Sequence, residues 1–142
     1  MRKIFILFFI LSVFLCGSFA DARDTTNKPA SRVIAYYFHG NFRCPTCHKL
    51  EQYSKEAIDA NFKDALSSGK LEFKVVNTDE RGNEHYVSDY QLYTKSLILS
   101  LLKDGKEVKS TNLTKIWEYV RDKQKFYDYV SEEVGNFLKE AK

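Results

Sequence analysis

Cys44-Pro45-Thr46-Cys47-His48 is the segment whose residue types and spacing point most directly to chemistry. Two thiols separated by two residues can close a disulfide and reopen it, moving two electrons in each cycle. The pair follows a short apolar run, Val33 to Phe38, and opens a helical pattern that begins at Pro45. A helix start presents unpaired backbone N–H groups and the positive end of the helix dipole, and both favour a thiolate. Cys44 falls near the N-cap and Pro45 at the first helical position, where its missing N–H costs nothing. Arg43 and His48 add positive charge, and Thr46 sits between the thiols. The expected roles are an exposed, low-pKa nucleophile at Cys44 and a buried resolving thiol at Cys47.

Other chemistries share this spacing. A purely structural disulfide would stabilise by only roughly 2 kcal/mol, because so short a loop restricts the unfolded chain little. Cys-x-x-Cys-His is also the attachment motif of c-type haem, with His48 as the proximal ligand and His39 or His85 opposite. Zinc would need a second ligand pair at metal-site spacing, and the sequence offers none. A non-redox binding module, with the thiols incidental, stays open.

The chain has 142 residues, which suits one domain. It is 44% hydrophobic and 29% charged, a balance that excludes disordered and fibrous classes. A net charge of +3 is too small to argue for nucleic acid. Arg2 and Lys3, the apolar run Ile4 to Leu15 and the small residues of Ser18-Phe19-Ala20 form a secretory signal pattern, with cleavage expected after Ala20. The run is too short for a membrane span, which needs roughly 18 or more apolar residues. Cys16 as a lipid anchor is the weaker reading, since the bulky Leu15 precedes it. Removing residues 1–20 leaves 122, with Cys44 and Cys47 as the only cysteines and no methionine for a haem axial position. The protein is therefore expected to be exported, to the periplasm in a bacterium.

Residues 21–31 read as a polar leader and 32–142 as the folded domain. Val33–Phe38, Leu71–Val76 and Leu97–Leu102 have the apolar or β-branched composition of strands. Asp104-Gly105 predicts a hairpin into an edge strand, Lys106–Lys109. Helical spacing runs from Pro45 to about Ser67, and a short helix fits Glu84–Gln91. A stripe of Leu113, Ile116, Trp117 and Val120 continues through Phe126, Val130, Val134, Phe137 and Leu138. The order β-α-β-α-β-β-α predicts an α/β fold: a mixed central sheet flanked by helices.

Strand, Cys-x-x-Cys, helix, strand and hairpin in this order resemble the thioredoxin superfamily from about Arg32 to Lys142. Cys-Pro-Thr-Cys is similar to the Pro-first motif of glutaredoxins and oxidising periplasmic relatives. Tyr36-Tyr37-Phe38-His39-Gly40, Arg43-Cys44, Asp89 to Ser96 and Ile116-Trp117-Glu118 resemble a small bacterial family, named for the F component of a nitrophenyl compound nitroreductase encoded with organoarsenical resistance. That resemblance implies a part in reducing nitroaromatic compounds, beside a companion reductase subunit and a membrane permease or electron donor. A dithiol gives two electrons, whereas taking a nitro group to an amine needs six, so the implied role is a relay. No flavin or dinucleotide fingerprint is visible, and the only expected redox group is the Cys44–Cys47 disulfide.

Two departures from ordinary thioredoxins bear on substrate. The loop that carries their cis-proline is here Tyr93-Thr94-Lys95-Ser96, and the chain's only prolines are Pro29 and Pro45. A trans loop is expected. This loop is the expected substrate loop, with Lys95 pairing to an anionic substrate and Tyr90 and Tyr93 near enough to stack on an aromatic one. The first core strand also lacks the buried acid of thioredoxin. Glu51, one turn beyond Cys47, is the available carboxylate, although a solvent-facing position is its commoner fate. His39 is expected to tune the thiols or to cap a strand end. His85 and Asn112-Leu113-Thr114 read as surface.

Overall fold

A computed structural model of the chain describes residues 29–142. The signal pattern, Cys16 and most of the leader lie outside the described residues.

β1 (Ser31–His39) is the centre of a four-stranded sheet. β2 (Leu71–Asn77) runs parallel to one side of it, with Val33 opposite Leu71 and His39 opposite Asn77. β3 (Ser96–Lys103) runs antiparallel to the other side, pairing Phe38 with Ser96, and β4 (Lys106–Asn112) completes the order β2-β1-β3-β4. Between β3 and β4, Asp104 and Gly105 both have positive φ, 51° and 77°, as a two-residue hairpin of matching twist requires. The edge strand β4 extends three residues beyond the expected Lys109.

The parallel β1–β2 pair requires a crossover, supplied by α1 (Pro45–Asn61) and α2 (Lys63–Ser67). Two helices thus stand where the spacing predicts one. Phe62 makes the break at φ −130°, ψ 35°, and half-buries its ring against the core. The last helical stripe is also divided. α4 (Ile116–Tyr119) is one turn, and α5 (Lys123–Glu140) restarts at Asp122, whose carboxylate accepts the Lys125 N–H at 3.1 Å.

Alternation along β1 sorts its side chains between two layers. Val33, Ala35 and Tyr37 join Leu97, Leu99 and Leu101 of β3 in one buried cluster with Leu50, Ala57 and Ile58 of α1 and Phe126, Val130, Val134 and Phe137 of α5. Tyr36 and Phe38 face the other way, under Tyr86 and Tyr90 of the segment at α3 (His85–Asp89), with ring centroids 5.1–6.2 Å apart. Leu113, read both as the start of the apolar stripe and as part of a surface segment with Asn112 and Thr114, is fully buried where the chain leaves β4, as the stripe requires. The C-terminal end of β1, the N-terminus of α1, the start of β3 and the turn of α4 therefore converge at one end of the sheet.

Candidate redox site

Cys44 and Cys47 are joined as a disulfide at the head of α1, with Cα atoms 5.0 Å apart. Cys44 is the N-cap in extended conformation, φ −85° and ψ 164°, and Pro45 follows inside the first turn. The Cys47 N–H donates to Cys44 Sγ at 3.2 Å, so a backbone donor already points at the sulfur that would carry negative charge. Cys44 is half-buried, whereas Cys47 is 2% exposed. The asymmetry is the one a nucleophile and a resolving thiol require. Pro45 and His48 are exposed, Thr46 is half-buried, and the His48 N–H donates to Cys44 O at 3.2 Å.

Below the dithiol, Tyr37 donates its hydroxyl to Cys47 O at 2.7 Å in a buried bond. Arg43 folds back along the helix to pair with Glu51. Glu51 is thus held toward Arg43 rather than left in solvent, because a guanidinium half removed from water draws in the nearest carboxylate. Arg43 Nε is buried with no hydrogen-bond partner among the described residues. Burial pushes the Tyr37 hydroxyl pKa up, and the neighbouring Arg43 opposes that rise.

The approach to Cys44 is stapled to the end of β2. Asn41 N–H donates to Asp79 Oδ2 at 2.7 Å, and Asn77 Nδ2 to Asn41 Oδ1 at 2.8 Å. A Cβ at Gly40 would lie 2.8 Å from Asp79 Oδ2, the oxygen that accepts the Asn41 N–H, so a larger residue would have to move that carboxylate. His39 sits at the strand end. Its Nδ1 lies 2.9 Å from Gly40 O, which can only accept, so the ring hydrogen is on Nδ1.

The loop before β3 keeps the expected trans backbone, and among the described residues every peptide bond is trans. Lys95 is half-buried with its ammonium 5.8 Å from the centre of the Phe42 ring, a cation–π contact that turns it toward the Cys44 loop. Its carbonyl accepts from Trp117 Nε1 at 2.9 Å. Thr94 is exposed, and its carbonyl accepts from the buried Ser96 hydroxyl at 2.9 Å. Tyr93 is 92% exposed. Tyr90 belongs to the other face of the sheet, where its hydroxyl donates to Glu107 at 2.5 Å. Burial and that carboxylate raise its pKa. His85 is exposed, as expected.

A short helix on one face, two long helices on the other, strand order β2-β1-β3-β4 and a disulfide at the first helix N-terminus complete the pattern. The fold is thioredoxin-like. Among solved structures the chain is similar to oxidised thioredoxin O2 from Arabidopsis thaliana, at 14% identity and a TM-score of 0.42, over 70% of this chain and 79% of that one. It is also similar to a thioredoxin from Fasciola hepatica, at 26% identity and 0.37, over 63% and 79%. Oxidised thioredoxin from Plasmodium falciparum aligns at 13% and 0.40, over 68% and 82%. No family model and no curated protein matches the chain.

In this thioredoxin-like domain the half-buried Cys44 lines a cleft of about 820 Å³ between α1 and the α4–α5 turn. Lys49 and Tyr53 line it from α1, and Trp117, Glu118 and Arg121 from the opposite wall. The helical spacing assigns Trp117 to the core stripe, yet it is 37% exposed. Its place at i+4 from the buried Leu113 gives it a core residue's spacing, and only the break after Tyr119 reveals its role. Among the described residues no group of three His, Cys, Asp or Glu side chains is placed to hold a metal ion, and no helix is long and apolar enough to cross a membrane.

Proposed function

We propose that the protein is an exported thiol–disulfide oxidoreductase in which Cys44 attacks and Cys47 resolves. One observation carries the reading: Cys44 is half-buried, lines an open cleft and accepts the Cys47 N–H on its Sγ, while Cys47 is enclosed by the core. In the reduced protein, Cys44 thiolate attacks one sulfur of a substrate disulfide. A Cys44–substrate disulfide forms, and the other substrate sulfur leaves as a thiolate. Cys47, after losing its proton, attacks Cys44 Sγ, restores the internal disulfide and expels the second substrate thiolate. Two electrons pass from protein to substrate, and the reverse sequence oxidises a dithiol.

The buried Cys47 sulfur supports this reading over c-type haem, whose thioether would have to reach a sulfur already covered by the core. The narrower version is a two-electron relay between a membrane donor and a companion nitroaromatic reductase. It rests on the stretches Tyr36 to Gly40, Asp89 to Ser96 and Ile116 to Glu118, which resemble the nitroreductase family. If the domain were a binding module alone, its function would survive loss of both thiols.

Thiol trapping of both cysteines across glutathione redox buffers tests the proposal. Both should become reactive together, at one two-electron midpoint. A value near about −270 mV suits a reductant and one near about −120 mV an oxidant. Failure of the pair to reduce as a unit would overturn the proposal, as would full function in a Cys44→Ser, Cys47→Ser variant.

A further inference from the structure

The cleft beside Cys44 has an uneven charge pattern. Lys49 stands on the α1 wall, and Arg121 and Glu118 on the α4–α5 wall. Among the described residues none of the three is joined in an ion pair, although nearby Lys123 is satisfied by Glu56 at 2.9 Å. Two unpaired cations and one unpaired anion around a reactive sulfur complement a ligand with two carboxylates and one ammonium. Tyr53 and Trp117 supply aromatic wall between these charges. A volume of about 820 Å³ is within the range of small-ligand sites, roughly 300–1,000 Å³. Lys95, the cation expected to meet an anionic substrate, has its ammonium 5.8 Å from the centre of the Phe42 ring.

We propose that this cleft is a binding subsite for low-molecular-weight disulfides of carboxylate-bearing amino-acid or peptide thiols. Lys49 and Arg121 take the carboxylates, and Glu118 takes the ammonium. The inference rests on the redox reading of the dithiol and names its substrate class. The Cys44 thiolate attacks the bound disulfide, one thiolate half leaves, and Cys47 displaces the other from Cys44.

Trp117 is the only tryptophan of the chain and lines the same cleft, so its fluorescence follows the oxidation state in a single turnover. The pre-reduced protein is mixed with glutathione disulfide, with cationic cystamine or with neutral bis(2-hydroxyethyl) disulfide. The ratio of second-order rate constants, glutathione disulfide over cystamine, is expected to fall at least tenfold in Lys49→Glu, Arg121→Glu. It should fall by a smaller factor in the gentler Lys49→Gln, Arg121→Gln. The control Lys103→Glu, Lys106→Glu makes the same net charge change at the far end of β3, roughly 20 Å from Ser96 by strand rise and well beyond the screening length. It should move the ratio less than twofold. An equal fall in the control, or no fall in the cleft variants, overturns the subsite. If the neutral disulfide also fails to oxidise the wild-type dithiol, the redox reading itself has failed.

Discussion

The Tyr37 hydroxyl on β1 donates a 2.7 Å hydrogen bond to the carbonyl oxygen of Cys47, shut off from solvent. Through it, the central strand fixes the turn of α1 that carries the second sulfur. β1 carries no carboxylate, and its phenol holds the helix. Tyr37→Phe should therefore destabilise the oxidised protein by about 1 kcal/mol, a typical net value for one hydrogen bond. Urea denaturation followed by Trp117 fluorescence checks this, with an unchanged slope and a lower midpoint expected.

Glu51 neutralises Arg43 next to the dithiol. Glu51→Gln leaves that cation unbalanced, which favours thiolate and hence the reduced form. The midpoint potential should rise, on the order of 30 mV, equivalent to roughly tenfold in the exchange constant with glutathione. Arg43→Met should lower it. A Glu51→Gln potential at or below wild type would contradict this account of the pair.

α1 is held to α5 by Glu56, which accepts from Tyr127 and pairs with Lys123 at 2.9 Å. The Tyr127 hydrogen bond, then those of Lys123 and Gln52, bring the Glu56 carboxyl down to about 2 from its usual 4.5. A lowered carboxylate pKa stabilises the fold above the unfolded-state value, and that contribution is lost as pH falls toward the folded-state value. Stability should decline between about pH 4.5 and 2 in the wild type and more shallowly in Glu56→Gln. The Lys123 pKa is raised, chiefly by its hydrogen bond to Glu56. Its contribution is therefore present below the usual lysine value of 10.5 and lost as pH rises above it. Thermal melts of both proteins across both limbs check the signs.

The dithiol and the elements that hold it are legible in the sequence because each leaves a local mark. Val33–Phe38 is apolar and β-branched or aromatic, Pro45 follows a capping residue, and Asp104-Gly105 permits the positive φ of its turn. The helix breaks at Phe62 and before Asp122 are not legible, since the apolar stripe runs on through both. The loop staples joining Asn41 to Asn77 and Asp79 span more than thirty residues, and side-chain bonds at that range leave no periodic trace. Tyr90 illustrates the same limit: sequence proximity to Tyr93 suggests the dithiol face, but the pleat and Glu107 place it behind the sheet.

The division of labour between the two sulfurs is tested most directly by Cys47→Ser. Exposed to a disulfide substrate after reduction, this variant should accumulate a mixed disulfide that peptide mapping places on Cys44, and Cys44→Ser should accumulate none. Failure of Cys47→Ser to trap any adduct, under conditions where the wild-type dithiol is oxidised, would contradict attack by Cys44 and resolution by Cys47.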